Sequence, residues 1–170
     1  MTAKTMFVGG ARSGKSRLAL AFAERHAAPL YYLATAEVGD DEMIERIAMH
    51  KAERSAQWRT VECPLDLPEA IMAISSGAIL VDCLTLWLSN LMLGGHQIDR
   101  RSDDLMAAIV TTPLPLIIVT NEVGMGIVPE YPLGREFRDA AGRLNQKVAA
   151  GMDAAYFVVS GLVLPLQKLG

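Results

Sequence analysis

Cysteine is nearly absent from this 170-residue chain: Cys63 and Cys83 stand alone, without a CxxC pair or a Cys/His spacing, which excludes a structural zinc site. Two isolated thiols suit a reducing compartment, and a cytoplasmic location is expected. Long apolar runs are missing as well. The stretches 114–119 and 154–159 fall far short of the ~20 residues that a spanning helix needs, so no membrane span is expected. The first residues carry no basic segment followed by an apolar one, so no export signal is expected. Nor is there a tract of Lys or Arg: 16 basic residues face 19 acidic ones, a formal net charge of -3, and a nucleic-acid surface is not expected.

What is present is apolar and regularly punctuated. Hydrophobic residues make up 51% and charged residues 21%, enough for one buried core and one domain over residues 1–170. Short runs rich in β-branched residues alternate with segments of helical period, the pattern of an α/β fold with a mostly parallel, doubly wound sheet flanked by helices. The runs predict strands over 5–9, 30–34, 58–62, 78–82, 116–121 and 154–160. Several are continuous rather than alternating, as strands covered on both faces require. Helices are predicted over 15–26, 41–54, 66–74, 84–93, 103–110 and 135–152. In the last, Phe137, Ala141, Leu144 and Val148 share one face. The segments 94–103 and 124–132 read as surface loops.

The sharpest signal is Gly9-Gly10-Ala11-Arg12-Ser13-Gly14-Lys15-Ser16, a GxxxxGK[ST] match between a predicted strand and a predicted helix. Glycines let successive N–H groups turn into one concavity, and the helix N-terminus adds partial positive charge. Lys15 brings a point charge for the β/γ-phosphates, and Ser16 brings a hydroxyl for Mg²⁺. Such a loop predicts a P-loop nucleotide-binding protein of RecA-like build. An acidic group near the metal is also needed. Asp82 closes the strand Ala78-Ile79-Leu80-Val81-Asp82 and suits that task, although it also suits capping of the helix after it. Glu122, after Val119-Thr120-Asn121, is a second acidic candidate at the same edge of the sheet.

In the segment 41–54, Glu42, Arg46, His50 and Arg54 fall at successive four-residue steps, so an imidazole stands between two guanidinium groups on one helix face. Nearby positive charge keeps a histidine neutral and therefore nucleophilic. The same spacing also describes an ordinary solvated face, and both readings stand at this level. His26, at the end of a predicted helix, and His96, in a polar loop, are weaker candidates.

Together, Gly9 to Ser16, Arg46-Ile47 with His50-Lys51 and Arg54, Trp58-Arg59-Thr60-Val61-Glu62, and the run Asn121-Glu122-Val123-Gly124-Met125-Gly126-Ile127-Val128-Pro129 resemble the bifunctional adenosylcobinamide kinase/adenosylcobinamide-phosphate guanylyltransferases of cobalamin biosynthesis. The likeness continues through Arg138-Asp139, Gly142-Arg143, Asn145-Gln146 and Val158-Val159-Ser160-Gly161. It implies phosphorylation of adenosylcobinamide with ATP or GTP, then GMP transfer from GTP to adenosylcobinamide phosphate through a guanylyl-histidine, which falls on His50. It also implies nucleotide contacts at Gly9 to Ser16, at Ala34, Thr35 and Ala36, at Lys51, Ala52, Glu53 and Arg54, and at Glu62. Metal ligation is expected at Ser16, Asp82 and Glu122, and a homotrimer is implied. The alternatives to be separated from this reading are a single-function P-loop kinase of a small molecule and a regulatory P-loop NTPase or binding module.

Overall fold

A computed structural model of the chain describes residues 4–37 and 56–168. The predicted helix over 41–54, with His50, Lys51, Ala52, Glu53 and Arg54, lies outside the described residues. In chain order the elements are β1 (Lys4–Gly9), α1 (Lys15–Ala23), β2 (Leu30–Ala34), β3 (Trp58–Glu62), α2 (Leu67–Ala73), β4 (Ala78–Asp82) and α3 (Leu84–Leu93). Then come α4 (Ile98–Thr111), β5 (Leu116–Asn121), α5 (Pro132–Ala150), β6 (Ala154–Val159) and β7 (Leu162–Leu166).

The seven strands form one sheet in the order β3-β2-β4-β5-β1-β6-β7. All neighbours are parallel except β6 and β7, which form an antiparallel hairpin. Successive residues of a strand face opposite sides, and the two sides have separate cores. Met6, Val8, Ile79, Val81, Leu116 and Ile118 pack with residues of α2, α3, α4 and α5, among them the fully buried Trp87 and Leu105. Phe7, Leu80, Ile117, Val119 and Val158 face the other way, onto Ala19, Leu20 and Ala23 of α1. Double coverage explains why these strands are apolar at consecutive positions. Each fully buried Leu or Ile contributes roughly 1.5–3 kcal/mol against leaving it in water.

The helix expected from 135 starts at Pro132, inside the segment 124–132 read as a loop, and the structure departs from the sequence reading in three further places. The helix expected to start near 103 starts at Ile98, so the loop after α3 shrinks to Gly94, Gly95, His96 and Gln97. That early turn is held from outside. Arg101 donates to Glu69 of α2 at 2.7 and 2.8 Å and to the Leu65 carbonyl at 2.9 Å, contacts that a local period does not encode. At α1 the last helical residue is Ala23, and His26 lies beyond it with its ring set edge-on to Phe22.

The third departure is β7, which was not anticipated. Its Leu-Val-Leu-Pro-Leu sequence neither alternates nor lies buried, and Pro165 argues against a strand. Its edge position tolerates a proline. The two-residue connection, Ser160 at φ 52° and Gly161 at φ 76°, has both residues in the left-handed region that a tight hairpin needs.

Candidate active site

The 9–16 loop leaves β1 at Gly9 and enters α1 at Lys15. Gly14, the residue before the helix, has φ 92°, a conformation that a side chain would strain, and Arg12 adopts φ 54°. Gly9 is required for space: a Cβ there would meet the Val158 carbonyl oxygen at 2.2 Å. The loop is braced by the β6–β7 turn, whose Gly161 N–H donates to the Ser13 carbonyl at 2.8 Å. Lys15 is buried at 7% exposure, and its Nζ donates to the Gly10 carbonyl at 3.0 Å across the loop. Among the described residues, Ser13 Oγ is the buried side-chain oxygen without a hydrogen-bond partner. A buried hydroxyl left unpaired costs roughly 1–3 kcal/mol. An acceptor held in the loop, such as a phosphate oxygen, satisfies it, so the cradle fits a nucleotide tail.

Asp82 ends β4 on the face covered by α1, because its neighbour two residues back, Leu80, belongs to the α1 core. The Tyr32 phenol donates to Asp82 Oδ2 at 2.9 Å. The contact is diagonal across the β2–β4 ladder: Tyr32 stands opposite Leu80, two residues before Asp82. Asp82 makes no cap on α3, whose N-cap position is Cys83 and has no side-chain cap. The Cys83 thiol, next in the chain, is raised to about 11 by burial and then by the Asp82 carboxylate. Glu122 is placed differently. Its N–H donates to the Gly9 carbonyl at 3.0 Å, while its Oε1 accepts the Gly124 N–H at 2.5 Å within its own loop. Among the described residues there is no group of three His, Cys, Asp or Glu able to hold a metal.

The ends of β2, β3 and β4 are aligned, with Ala34 opposite both Glu62 and Asp82. Thr35 locks them together. It is fully buried, its N–H donates to the Asp82 carbonyl, and its hydroxyl donates to the Cys83 carbonyl at 2.7 Å while accepting the Cys83 N–H at 2.9 Å. The Asn90 side chain donates to the Thr35 carbonyl at 2.8 Å and to that of Pro64 at 3.0 Å. The Thr35 hydroxyl is therefore spent inside the protein, and what this turn presents outward is Ala34, Ala36 and exposed Glu62. Tyr32 and Asn90 carry no motif that sequence reasoning could seize on, and Asn121 opens the run that carries the family resemblance without a site role having been read from it. Their relation to the site comes from strand order.

A phosphate cradle at the end of β1, a buried lysine across it and an acidic strand end two strands away define a P-loop nucleotide-binding protein. The same fold recurs in the ATPase of a bacterial type III secretion system, which the chain matches at a TM-score of 0.53 and 11% identity over 97% of its own length and 57% of that chain. Residues 5–166 match the model of the cobinamide kinase / cobinamide phosphate guanyltransferase family, and the chain belongs to that family. It is 45% identical to the bifunctional adenosylcobalamin biosynthesis protein CobU of Salmonella typhimurium, over 95% of this chain and 98% of that one. It is 43% identical to the bifunctional protein CobP of Pseudomonas aeruginosa, over 96% and 97%. Among the described residues no helix is long and apolar enough to cross a membrane.

Proposed function

We propose that this chain is a cytoplasmic enzyme of two successive transfers on one domain. It phosphorylates adenosylcobinamide with ATP or GTP, then moves GMP from GTP to adenosylcobinamide phosphate, giving adenosylcobinamide-GDP and pyrophosphate. The observation that carries this reading is the near full-length family match, 162 residues wide, on a chain whose β1 end forms a phosphate cradle.

In the kinase step Lys15 and the loop N–H groups of residues 9–16 hold the β/γ-phosphates, and Ala34, Ala36 and Glu62 offer contacts to the nucleotide. When bound, Mg²⁺, held by Ser16 and Asp82 with Glu122 as the further candidate, offsets charge on the phosphates. In the second step the neutral His50 imidazole attacks the α-phosphorus. A P–N bond forms as the bond to the β-phosphate oxygen breaks, and pyrophosphate leaves. Lys51, Ala52, Glu53 and Arg54 line the nucleotide, with Arg54 and Lys15 countering negative charge. A phosphate oxygen of the corrinoid intermediate then attacks the same phosphorus and frees His50.

The exposed apolar loop residues Met125, Ile127 and Val128 beside Glu122 suit the broad apolar faces of a corrinoid. The open edge of β7, with Leu162, Leu164 and Leu166 exposed, supports self-association as a homotrimer. A net charge of -3 gives no support to nucleic acid as a partner. Incubation with α-labelled GTP tests the reading: a protein adduct stable in alkali and labile in acid is expected, and His50→Ala is expected to lack it. An adduct of equal yield in that variant overturns His50. Corrinoid phosphate without any GDP form reassigns the chain as a single-function kinase, and slow hydrolysis without any corrinoid product reassigns it as a regulatory NTPase.

A further inference from the structure

The segment between β5 and α5 is held at both ends and free in its middle. At its start the Glu122 N–H donates to the Gly9 carbonyl at 3.0 Å, Glu122 Oε1 accepts the Gly124 N–H, and Val123 packs against the core. At its end Arg135 reaches back from the first turn of α5: its Nη1 donates to the Glu130 carbonyl at 2.5 Å and to the Pro129 carbonyl at 3.0 Å. Gly134 lets the helix come close, since a Cβ there would lie 2.9 Å from that of Pro129. Between the two anchors Met125, Ile127 and Val128 stand 77%, 97% and 61% exposed.

Neither helix electrostatics nor charge pairing accounts for Arg135. A cation in the first turn faces the positive end of the helix dipole, an unfavourable place, and no acidic residue of that turn offsets it. Among the described residues Arg135 makes no ion pair. Its guanidinium is spent instead on two successive carbonyls of the loop, and a charged donor makes such bonds stronger than neutral ones. The loop needs a brace of this kind. Gly124 and Gly126 leave its backbone permissive, and a Cβ at Gly126 would meet nothing within 4 Å. A loop free to move would fold its three apolar side chains back against the protein. Held out, they form an apolar surface at the edge of the sheet where the phosphate cradle opens.

We propose that Arg135 is a positioning residue for the acceptor: by tying the Pro129 and Glu130 carbonyls to α5, it holds Met125, Ile127 and Val128 in place to receive an apolar face of the corrinoid. The inference deepens the proposed function and rests on its assignment of this loop to the corrinoid. Arg135 acts through the loop. Its loss releases a segment that must then be ordered anew whenever the acceptor binds, so acceptor affinity falls about tenfold while the bound complex reacts as before. Nucleotide affinity belongs to the 9–16 loop and stays.

The test takes the full chain as wild type, Arg135→Met and Arg135→Lys. It measures adenosylcobinamide binding by equilibrium dialysis, steady-state phosphorylation with GTP, melting temperature, native mass, and hydrogen exchange in peptides across 122–131. In Arg135→Met, which keeps the apolar stem, Kd and KM for the corrinoid are expected to rise about tenfold, with KM for GTP and kcat within about twofold and the melting temperature within about 3 °C. Exchange across 122–131 is expected to quicken, and Arg135→Lys, a single charged head for two carbonyls, is expected to fall between the other two proteins. An unchanged corrinoid KM in Arg135→Met, or equal rises for corrinoid and GTP, overturns the assignment. A changed native mass in that variant overturns it as well, by giving the loop to self-association. A wild type that binds the corrinoid without phosphorylating it, with binding about tenfold weaker in Arg135→Met, upholds Arg135 and overturns the function proposed above. Phosphorylation by wild type with equal corrinoid affinity in all three proteins overturns Arg135 alone.

Discussion

Replacing Tyr32 by Phe removes one oxygen and leaves the ring. The edge-on contact with Trp58, centroids 6.2 Å apart, and the burial of the ring in the α1 core both survive. What disappears is the donor 2.9 Å from Asp82 Oδ2. A hydrogen bond to an ionised group is worth roughly 1.5–3 kcal/mol, and Asp82 is only partly buried, which favours the lower figure, about 1.5 kcal/mol. For a chain of this size that lowers the melting temperature by about 3–6 °C. The larger effect falls on the metal. A carboxylate released from the neighbour that orients it loses about 10- to 100-fold in metal affinity, so the Mg²⁺ concentration giving half-maximal corrinoid phosphorylation is expected to rise at least tenfold, with the rate at saturating Mg²⁺ largely restored. Melting curves and an Mg²⁺ titration at fixed nucleotide read the two effects separately. A lowered melting temperature with an unaltered Mg²⁺ requirement refutes the idea that Tyr32 aims Asp82 at the metal and leaves it a packing residue.

Two other perturbations test the frame around the site. In Gly9→Ala the new methyl meets a backbone oxygen that has no rotamer to escape into. β1 and β6 must part by about an ångström, at a cost of about 3 kcal/mol and a fall of about 6–12 °C in melting temperature, together with loss of nucleotide binding; wild-type melting of this variant would contradict the packing argument. The thiols predict alkaline behaviour. Cys63 is raised to about 12 by burial and then by Asp66, and Cys83 to about 11, from an ordinary value of 9.0. The folded chain keeps protons that the unfolded chain releases, so the stability is intact below pH 9 and is lost as pH climbs toward 11 to 12, at up to about 1.4 kcal/mol per pH unit per thiol. Urea midpoints at pH 8, 9 and 10 should fall accordingly, and less steeply in Cys63→Ala; identical slopes would remove the thiols from the account. A thiol reagent at pH 8 should label neither residue until urea unfolds the chain.

Local pattern made much of this molecule legible. Strands at Leu30–Ala34, Ala78–Asp82 and Leu116–Asn121 and the helix at Leu84–Leu93 stand where the apolar runs put them, because strands covered on both faces and bounded by turn residues carry their limits in adjacent positions; the mostly exposed edge strand Trp58–Glu62 also stands where expected. The start of α4 was not legible, since Arg101, besides its pair with Asp104 on its own helix, is held by groups from α2 and from the turn before it. β7 was hidden for the opposite reason: an edge strand has no buried face to impose alternation, and its proline counted against it.

By itself, then, the sequence determined that a phosphate cradle follows the first strand, that a parallel sheet lies behind it, and which family the chain resembles, because each of these is written in neighbouring residues. Only the tertiary structure decided that β5 enters between β1 and β4, that Tyr32 reaches Asp82 across a ladder, and that the Thr35 hydroxyl is consumed by Cys83. Those relations join residues dozens of positions apart. They exist because strand order and register set which side chains share a face, and no local period encodes either.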